Sequence, residues 1–397
     1  MRPLKRIATL NPEVLPEDTD PEWTFPYVDI GNVTFEAGIT GTELVRFANA
    51  PSRARRRVRN GDTIVSTVRT YLRAIAPVWN QPDGLIVSTG FAVIRARPPM
   101  DAGYLSWALR SNTFVESVVA DSVGVSYPAI APSVLGSLPV PAPPRAEQRA
   151  IADFLDRETA KIDALIAAQE RLIALLDEKR QATITHAVTK GLDPNAPMKQ
   201  SGVEWIGLVP RQWTVKSLKY LASVGSGFAP PPSFDPTAGD YPVYGSNGLI
   251  GYCKECFVTG ESLVVGRVGA SGSVTTVPAQ SWVSDNALLL RITQPDTSLK
   301  WLRSVLETLN LGAQASRTAQ PLITGTFLAD QAIPTPSFAE QRAIADFLDR
   351  ETARTACLVS RCVEAVERLR ERRTALITAA VTGQIDVTCP VITEAAE

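Results

Sequence analysis

Between residues 46 and 73 the chain carries eight arginines and a single carboxylate, Asp62. Arg53, Arg55, Arg56, Arg57 and Arg59 form an Arg-x-Arg-Arg-Arg-x-Arg run with no interleaved acid, and Arg69 and Arg73 follow with Tyr71 between them. The planar guanidinium fork matches phosphate oxygens and the acceptor edge of guanine bidentately, so this pattern points to polyanion contact. A solvated basic loop is the competing reading. A second stretch offers backbone in place of charge. Tyr244-Gly245-Ser246-Asn247-Gly248 and the run from Gly266 through Arg267 and Ser271 to Gly272 let main chain approach a ligand closely, with Lys254, Arg267 and Arg317 as isolated cations. The spacing of Gly266, Gly269 and Gly272 is not that of a dinucleotide fingerprint, and a plain hairpin competes as a reading of it.

Motifs that would carry catalysis are missing. There is no Gly-x-x-x-x-Gly-Lys-Ser/Thr loop, and no Asn/Asp-Pro-Pro-Tyr tetrad of the kind a base-flipping amino methyltransferase needs. Cys253 and Cys256 form one pair with no second pair nearby, so no metal site is expected. His186 is the only histidine, and Cys357 and Cys362 read as packing residues. The expectation is a chain without an active site of its own. With 40 basic against 41 acidic residues, affinity for a polyanion must come from local clusters. The 45% hydrophobic content supports real cores, and no apolar run reaches the ~18 residues of a membrane span. The N-terminus lacks the apolar stretch of a signal peptide, and five cysteines in 397 residues are not a disulfide framework, which suggests the cytoplasm.

The elements that position these residues come in duplicate. Residues 146–160 read AEQRAIADFLDRETA, and residues 339–353 repeat all fifteen letters, an offset of 193. The echo continues downstream, where ITHAVT at 184–189 matches ITAAVT at 377–382. A period this long is a tandem of whole domains, since solenoid repeats run about 20–50 residues. After the proline-rich residues 139–144 no proline occurs until Pro194, and apolar residues recur at intervals of three, four and seven. This predicts an amphipathic helix over 147–190, a rod of roughly 65 Å, and an equivalent helix over 340–382. Each apolar stripe finds its cheapest burial against its duplicate, antiparallel about a pseudo-twofold axis. The expected packing residues are Ile151, Leu155, Ile162, Leu165, Leu172 and Leu176 in one helix, and Ile344, Leu348, Leu358, Val366, Leu369 and Leu376 in the other. An aspartate at Leu165 or Leu358 should therefore be severe.

The blocks before each helix differ in sequence. Runs at 63–68, 85–95, 262–265 and 287–292 read as strands, and 102–111 and 299–309 as short helices. The fold class is α+β, with two pseudo-repeated globular domains and a pair of long antiparallel coiled-coil helices. The divisions are 1–138, 139–195, 196–331 and 332–397.

This arrangement resembles the specificity subunit of type I restriction–modification systems. The runs at 139–141 and 333–336, each followed by AEQRAIADFLD, look like the entry to that family's spacer helices. SGVEWIGLVP at 201–210, then Trp213 and Leu218-Lys219, looks like the lead into a target-recognition domain. No copy of that segment precedes Leu4-Lys5, and residues 387–397 do not supply one. The resemblance implies that each target-recognition domain reads one half of a split double-stranded DNA site. The helices would set the gap and bind two methylation subunits. Those subunits would bring S-adenosylmethionine and flip the adenine to be methylated, and restriction subunits would bring ATP and Mg²⁺. No cofactor and no membrane partner is expected for this chain itself. The alternatives are a non-catalytic scaffold tethering two ligand-binding modules and a fused nuclease.

Overall fold

A computed structural model describes residues 1–314 and 322–387, so Arg317 lies outside the described residues. The chain forms two compact units. The first comprises Met1–Glu170 and the described chain from Val363 onward, and the second comprises Arg171–Cys362. Both boundaries fall inside long helices, so each unit contains one β-rich block and one end of each helix.

In the first unit, strands β1 (Ala8–Leu10), β2 (Thr24–Val28), β3 (Glu43–Arg46), β4 (Ala54–Arg57), β5 (Thr63–Ser66), β6 (Ile75–Pro77), β7 (Ile86–Ser88) and β8 (Phe91–Ala96) build two four-stranded sheets. One is antiparallel in the order β1-β8-β5-β6, with Phe91 opposite Ser66 and Ile94 opposite Thr63. The other runs β3-β2-β7-β4, with β2 and β7 parallel. The apolar run at 85–95, read as one strand from sequence, is therefore two strands in two sheets. The chain turns at Thr89-Gly90, where a Cβ on Gly90 would lie 2.5 Å from Ile30 Cδ1.

Helix α1 (Ala102–Arg110) starts at Asp101, whose carboxylate accepts the Tyr104 N–H at 3.0 Å. Its apolar face, with Tyr104, Leu105 and Leu109, forms the core with Val65 and Ile94. The same core takes in Ile151, Ala152 and Leu155 from the long helix α2 (Arg145–Lys190). Helix α2 follows a proline-rich lead and ends at Gly191, whose φ of +76° suits glycine.

The second unit repeats the plan. Strands β9 (Ala222–Ser226), β10 (Tyr241–Gly245), β11 (Gly248–Cys253), β12 (Ser262–Gly266), β13 (Val274–Val277), β14 (Trp282–Val283) and β15 (Ala287–Ile292) give an antiparallel sheet β9-β15-β12-β13 and a sheet β11-β10-β14 with β10 and β14 parallel. The first sheet has the same connectivity as β1-β8-β5-β6. Helix α3 (Leu299–Thr308) packs Trp301, Leu302, Val305 and Leu306 against Leu263, Leu288 and Leu290. Ile184, Ala187 and Val188 of α2 join this core with Ile344, Ala345 and Leu348 of the second long helix, α4 (Phe338–Val381). In the first unit Ile377, Ala380 and Val381 of α4 join the core that holds Ile151 and Leu155.

The two long helices pack together antiparallel. Arg373 Nε pairs with Asp163 at 2.8 Å and Arg370 with Glu170 at 3.1 Å, so residue numbers rise along one helix as they fall along the other. The inward positions of α2 recur every three or four residues: Ile151, Leu155, Thr159, Ile162, Ile166, Gln169, Ile173, Leu176. In α4 they run Ile344, Leu348, Thr352, Thr355, Val359, Cys362, Val366, Leu369, Arg373. Four expected packing residues are not among them: Leu376 is partly buried against the core of the first unit instead, and the other three face outward. Leu165 and Leu358 are 52% and 40% exposed, and Leu172 is also exposed. Each begins an apolar pair (Leu165-Ile166, Leu172-Ile173, Leu358-Val359), and the next residue, about 100° round the helix, faces inward.

Candidate nucleic-acid interface

The arginine cluster divides between the two sheets of the first unit. Arg55, Arg56 and Arg57 lie on β4, an edge strand whose place in the second unit is taken, among the described residues, by an isolated antiparallel bridge between Val258 and Ser281. Arg53 precedes it and pairs with Asp29, and Arg59 follows it and pairs with Glu13 at 2.7 Å. Arg55 donates to the Ala54 carbonyl at 2.9 Å and stacks over Phe47, 5.0 Å from the ring centroid. Arg56 is half-buried with Nε unpartnered, and burial lowers its pKa. Arg57 is exposed. The carboxylates that neutralise Arg53 and Arg59 are remote in sequence, so the run looked freer of acid than it is in space. Glu13 also binds Arg95, which makes two bonds of 2.8 Å to the buried Asp62.

Arg69, Tyr71 and Arg73 lie on the β5–β6 connection. Ser66 N–H donates to the Ala74 carbonyl at 2.9 Å, closing the loop. In the second unit Gly266 N–H donates to the Ser273 carbonyl at 2.9 Å, closing the β12–β13 loop in the same way. The arginine-rich loop and the glycine run are thus the same element in two domains. Each turns through two left-handed residues. In the second unit these are Gly269 and Gly272, with φ of +78° and +87°. In the first they are Arg69 and Arg73, with φ of +50° and +52°. A side-chain-bearing residue pays on the order of 1 kcal/mol for that conformation, and such strain concentrates where geometry serves function. At Gly272 no side chain fits, since a Cβ would come within 2.5 Å of Gly312 N.

Around the glycine loop the structure gathers part of the candidate set. Ser273 Oγ donates to the Ser246 carbonyl, which joins this loop to the Ser246-Asn247 turn between β10 and β11, with Tyr244 on β10. Ser271 Oγ donates to the Arg267 carbonyl at 3.2 Å, and Arg267 Nε is buried with no hydrogen-bond partner. Lys254 is not part of this group. It lies past Cys253, at the end of the hairpin away from the Ser246-Asn247 turn, and is exposed. Cys253 Sγ donates to the Glu255 carbonyl at 2.9 Å, burial raises its pKa, and no metal-binding cluster occurs among the described residues.

Sequence reasoning missed Tyr127. It is exposed, and the Arg69 guanidinium lies 5.0 Å from its ring centroid. Exposed Val123 and Val125 accompany it. The signal available was the alternation of Val123, Val125 and Tyr127 with Gly124 and Ser126, between a helix and Pro128.

Both blocks are tied to the long helices through repeated residues. Gln148 Oε1 accepts the Asp101 N–H at 2.7 Å, and Gln341 Oε1 accepts the Ser298 N–H at 2.8 Å. Asp156 accepts the Trp107 indole N–H at 2.8 Å, while its repeat Asp349 pairs with Lys300 at 2.7 Å. Arg110 stacks on Trp107 at 4.5 Å, and burial lowers its pKa to about 10.

Comparison with known proteins places these features. Residues 210–362 match the family described as type I restriction modification DNA specificity domain. The type I restriction enzyme EcoprrI specificity subunit of Escherichia coli is 34% identical over 111 residues, 28% of this chain and 27% of that one. The EcoDI specificity subunit of Escherichia coli is 21% identical over 322 residues, 71% and 70% of the two chains. The matched segments span about a third or less of the MjaVIII (Methanocaldococcus jannaschii) and EcoKI (Escherichia coli) specificity subunits, 32% and 29%. In fold, the chain is similar over 97% of both lengths to one from a study of complex assembly and conformational transition in the type I R-M system, with TM-score 0.79 and 24% identity. It is similar over 96% of both lengths to the HsdS subunit from Thermoanaerobacter tengcongensis, with TM-score 0.54 and 24% identity.

Proposed function

We propose that the chain is a specificity subunit of a type I restriction–modification system, a non-catalytic DNA-specificity component, and that its two β-rich blocks each read one half of a split duplex site. The observation that carries this reading is the pair of equivalent loops. One plan is built twice, with Arg69, Tyr71 and Arg73 in one copy and Gly269, Ala270, Ser271 and Gly272 in the other. Two surfaces of like frame and unlike chemistry suit two different sequences. On the first, Arg57, Arg69 and Arg73 present guanidiniums to phosphates or guanine edges, with Arg53, Arg55, Arg56 and Arg59 behind them. On the second, backbone and small side chains approach the duplex, with Tyr244, Ser246, Asn247, Arg267 and Ser271 around the glycine loop and Lys254 and Arg317 as further cations.

The long helices set the gap between half-sites and bind two methylation subunits. The repeated sequence supports this: Ala150, Asp153 and Arg157 recur as Ala343, Asp346 and Arg350, and Asp153, Arg157, Asp346 and Arg350 are all exposed. S-adenosylmethionine and methyl transfer belong to the methylation subunits, and ATP and Mg²⁺ to restriction subunits. Among the described residues no helix is long and apolar enough to cross a membrane.

The test is selection from random duplexes by this chain assembled with its methylation subunits. Retained sequences should share two short fixed blocks separated by a constant number of unconstrained base pairs. Retention without any shared sequence, or of one continuous block, contradicts the reading.

A further inference from the structure

Tyr71 and Leu72 stand 53% and 48% exposed at the tip of the β5–β6 loop. They sit between Arg69 and Arg73, both exposed and both left-handed. The base of the loop is fixed. Thr67 is buried and its hydroxyl donates to the Gly90 carbonyl at 2.9 Å, and buried Thr70 shares a 2.7 Å hydrogen bond with Ser122. Tyr71 and Leu72 are left overhanging an open cleft of about 1040 Å³ whose opposite wall includes Arg370, Glu371 and Thr374. The apolar surface of the pair is thus held in water at a strained, anchored tip. Between its two left-handed residues the counterpart loop in the second unit carries only Ala270 and Ser271, and its larger side chains, Arg267 and Val268, precede Gly269.

An apolar pair flanked by two cations is suited to enter a base stack. Apolar side chains wedge between neighbouring base pairs and kink the duplex, while the cations hold the phosphates on either side. A rigid anchor is what such insertion needs, because a flexible tip would fold back before it unstacked a base step. We infer that the first domain inserts Tyr71 and Leu72 into the base stack of its half-site and kinks the duplex there. The second domain reads its half-site without unstacking it. This inference rests on the reading that the chain binds duplex DNA.

The experiment uses the chain assembled with its methylation subunits and its selected site carrying 2-aminopurine at one position at a time. Binding should raise fluorescence several-fold at a step of the first half-site other than the methylated base, and at no such step of the second. The Y71A/L72A variant should lose that rise and reduce the bend measured by energy transfer between the duplex ends. It should keep the rise at the methylated base, and its affinity should fall by no more than about tenfold. The inference is overturned if the bound wild-type complex shows no rise outside the methylated base, if Y71A/L72A leaves the rise unchanged, or if both half-sites respond alike. Failure of the wild-type complex to bind any duplex would instead overturn the reading of function beneath it.

Discussion

Gln148 and Gln341, 193 residues apart, make the same bond: each offers its side-chain oxygen to the backbone N–H of the residue that caps the neighbouring short helix, Asp101 in one block and Ser298 in the other. Each also donates from Nε2 to a proline carbonyl five residues earlier, Pro143 at 2.7 Å and Pro336 at 3.1 Å. Both glutamines are buried. One residue thus fixes the start of a long helix and its docking on a block, and the repeated sequence around it keeps that joint while the blocks diverge.

Gln148→Ala and Gln341→Ala should each leave buried main-chain groups without partners. Each should destabilise its own unit by roughly 1–3 kcal/mol. Hydrogen exchange resolved by segment checks this: protection should fall around residues 101–105 in the first variant and around 298–302 in the second.

The coiled-coil register gives a sharp contrast. Ile162 and Val366 are buried, so Ile162→Asp and Val366→Asp should cost about 3–5 kcal/mol, the cost of a buried charge without a partner. Leu165→Asp and Leu358→Asp, on exposed positions, should shift stability by no more than about 0.5 kcal/mol. Thermal unfolding of the four variants separates the two registers.

That contrast shows where the sequence was legible. The duplication, the two long helices and their antiparallel pairing could be read because fifteen letters recur and proline and glycine punctuate both copies. The register could not, because Leu165-Ile166, Leu172-Ile173 and Leu358-Val359 offer two apolar residues for one inward position. The kinship of the Arg69–Arg73 and Gly269–Gly272 turns was also hidden. Insertions differ between the blocks, and the shared feature is a pair of left-handed residues carried by different amino acids. The partners of Arg53 and Arg59 lie 24 and 46 positions away, beyond any local pattern.

Acid should weaken the first unit through Glu13. Its hydrogen bond to Arg95 holds its carboxyl below the usual value near 4.5, outweighing partial burial. A carboxylate with a depressed folded-state pKa contributes stability that is full above the unfolded value and is lost as pH falls through the folded one. Glu13→Gln should therefore lower stability near neutrality by about 1–2 kcal/mol, between exposed and buried ion pairs. The difference from wild type should close as pH drops below 4.5. Denaturant titrations at several pH values measure it.

The arginines should divide by their partners. Among the described residues no ion pair involves Arg57, Arg69 or Arg73, and each one touching a phosphate should lower the slope of log affinity against log salt by about 0.9 when changed to alanine. Arg53→Ala and Arg59→Ala should change the slope less, because Asp29 and Glu13 already neutralise those guanidiniums. Affinity of the assembled methyltransferase across a salt series distinguishes the groups.

The central claim is that each block reads its own half of the site while the helices are common to both. Replacing residues 1–138 with the equivalent block of another family member, and mapping methylated positions in cells that also make the methylation subunit, tests it directly. The account predicts that one half-site changes while the other half and the gap between them stay the same. A swap that altered both half-sites, or a methylated sequence that proved continuous, would contradict it.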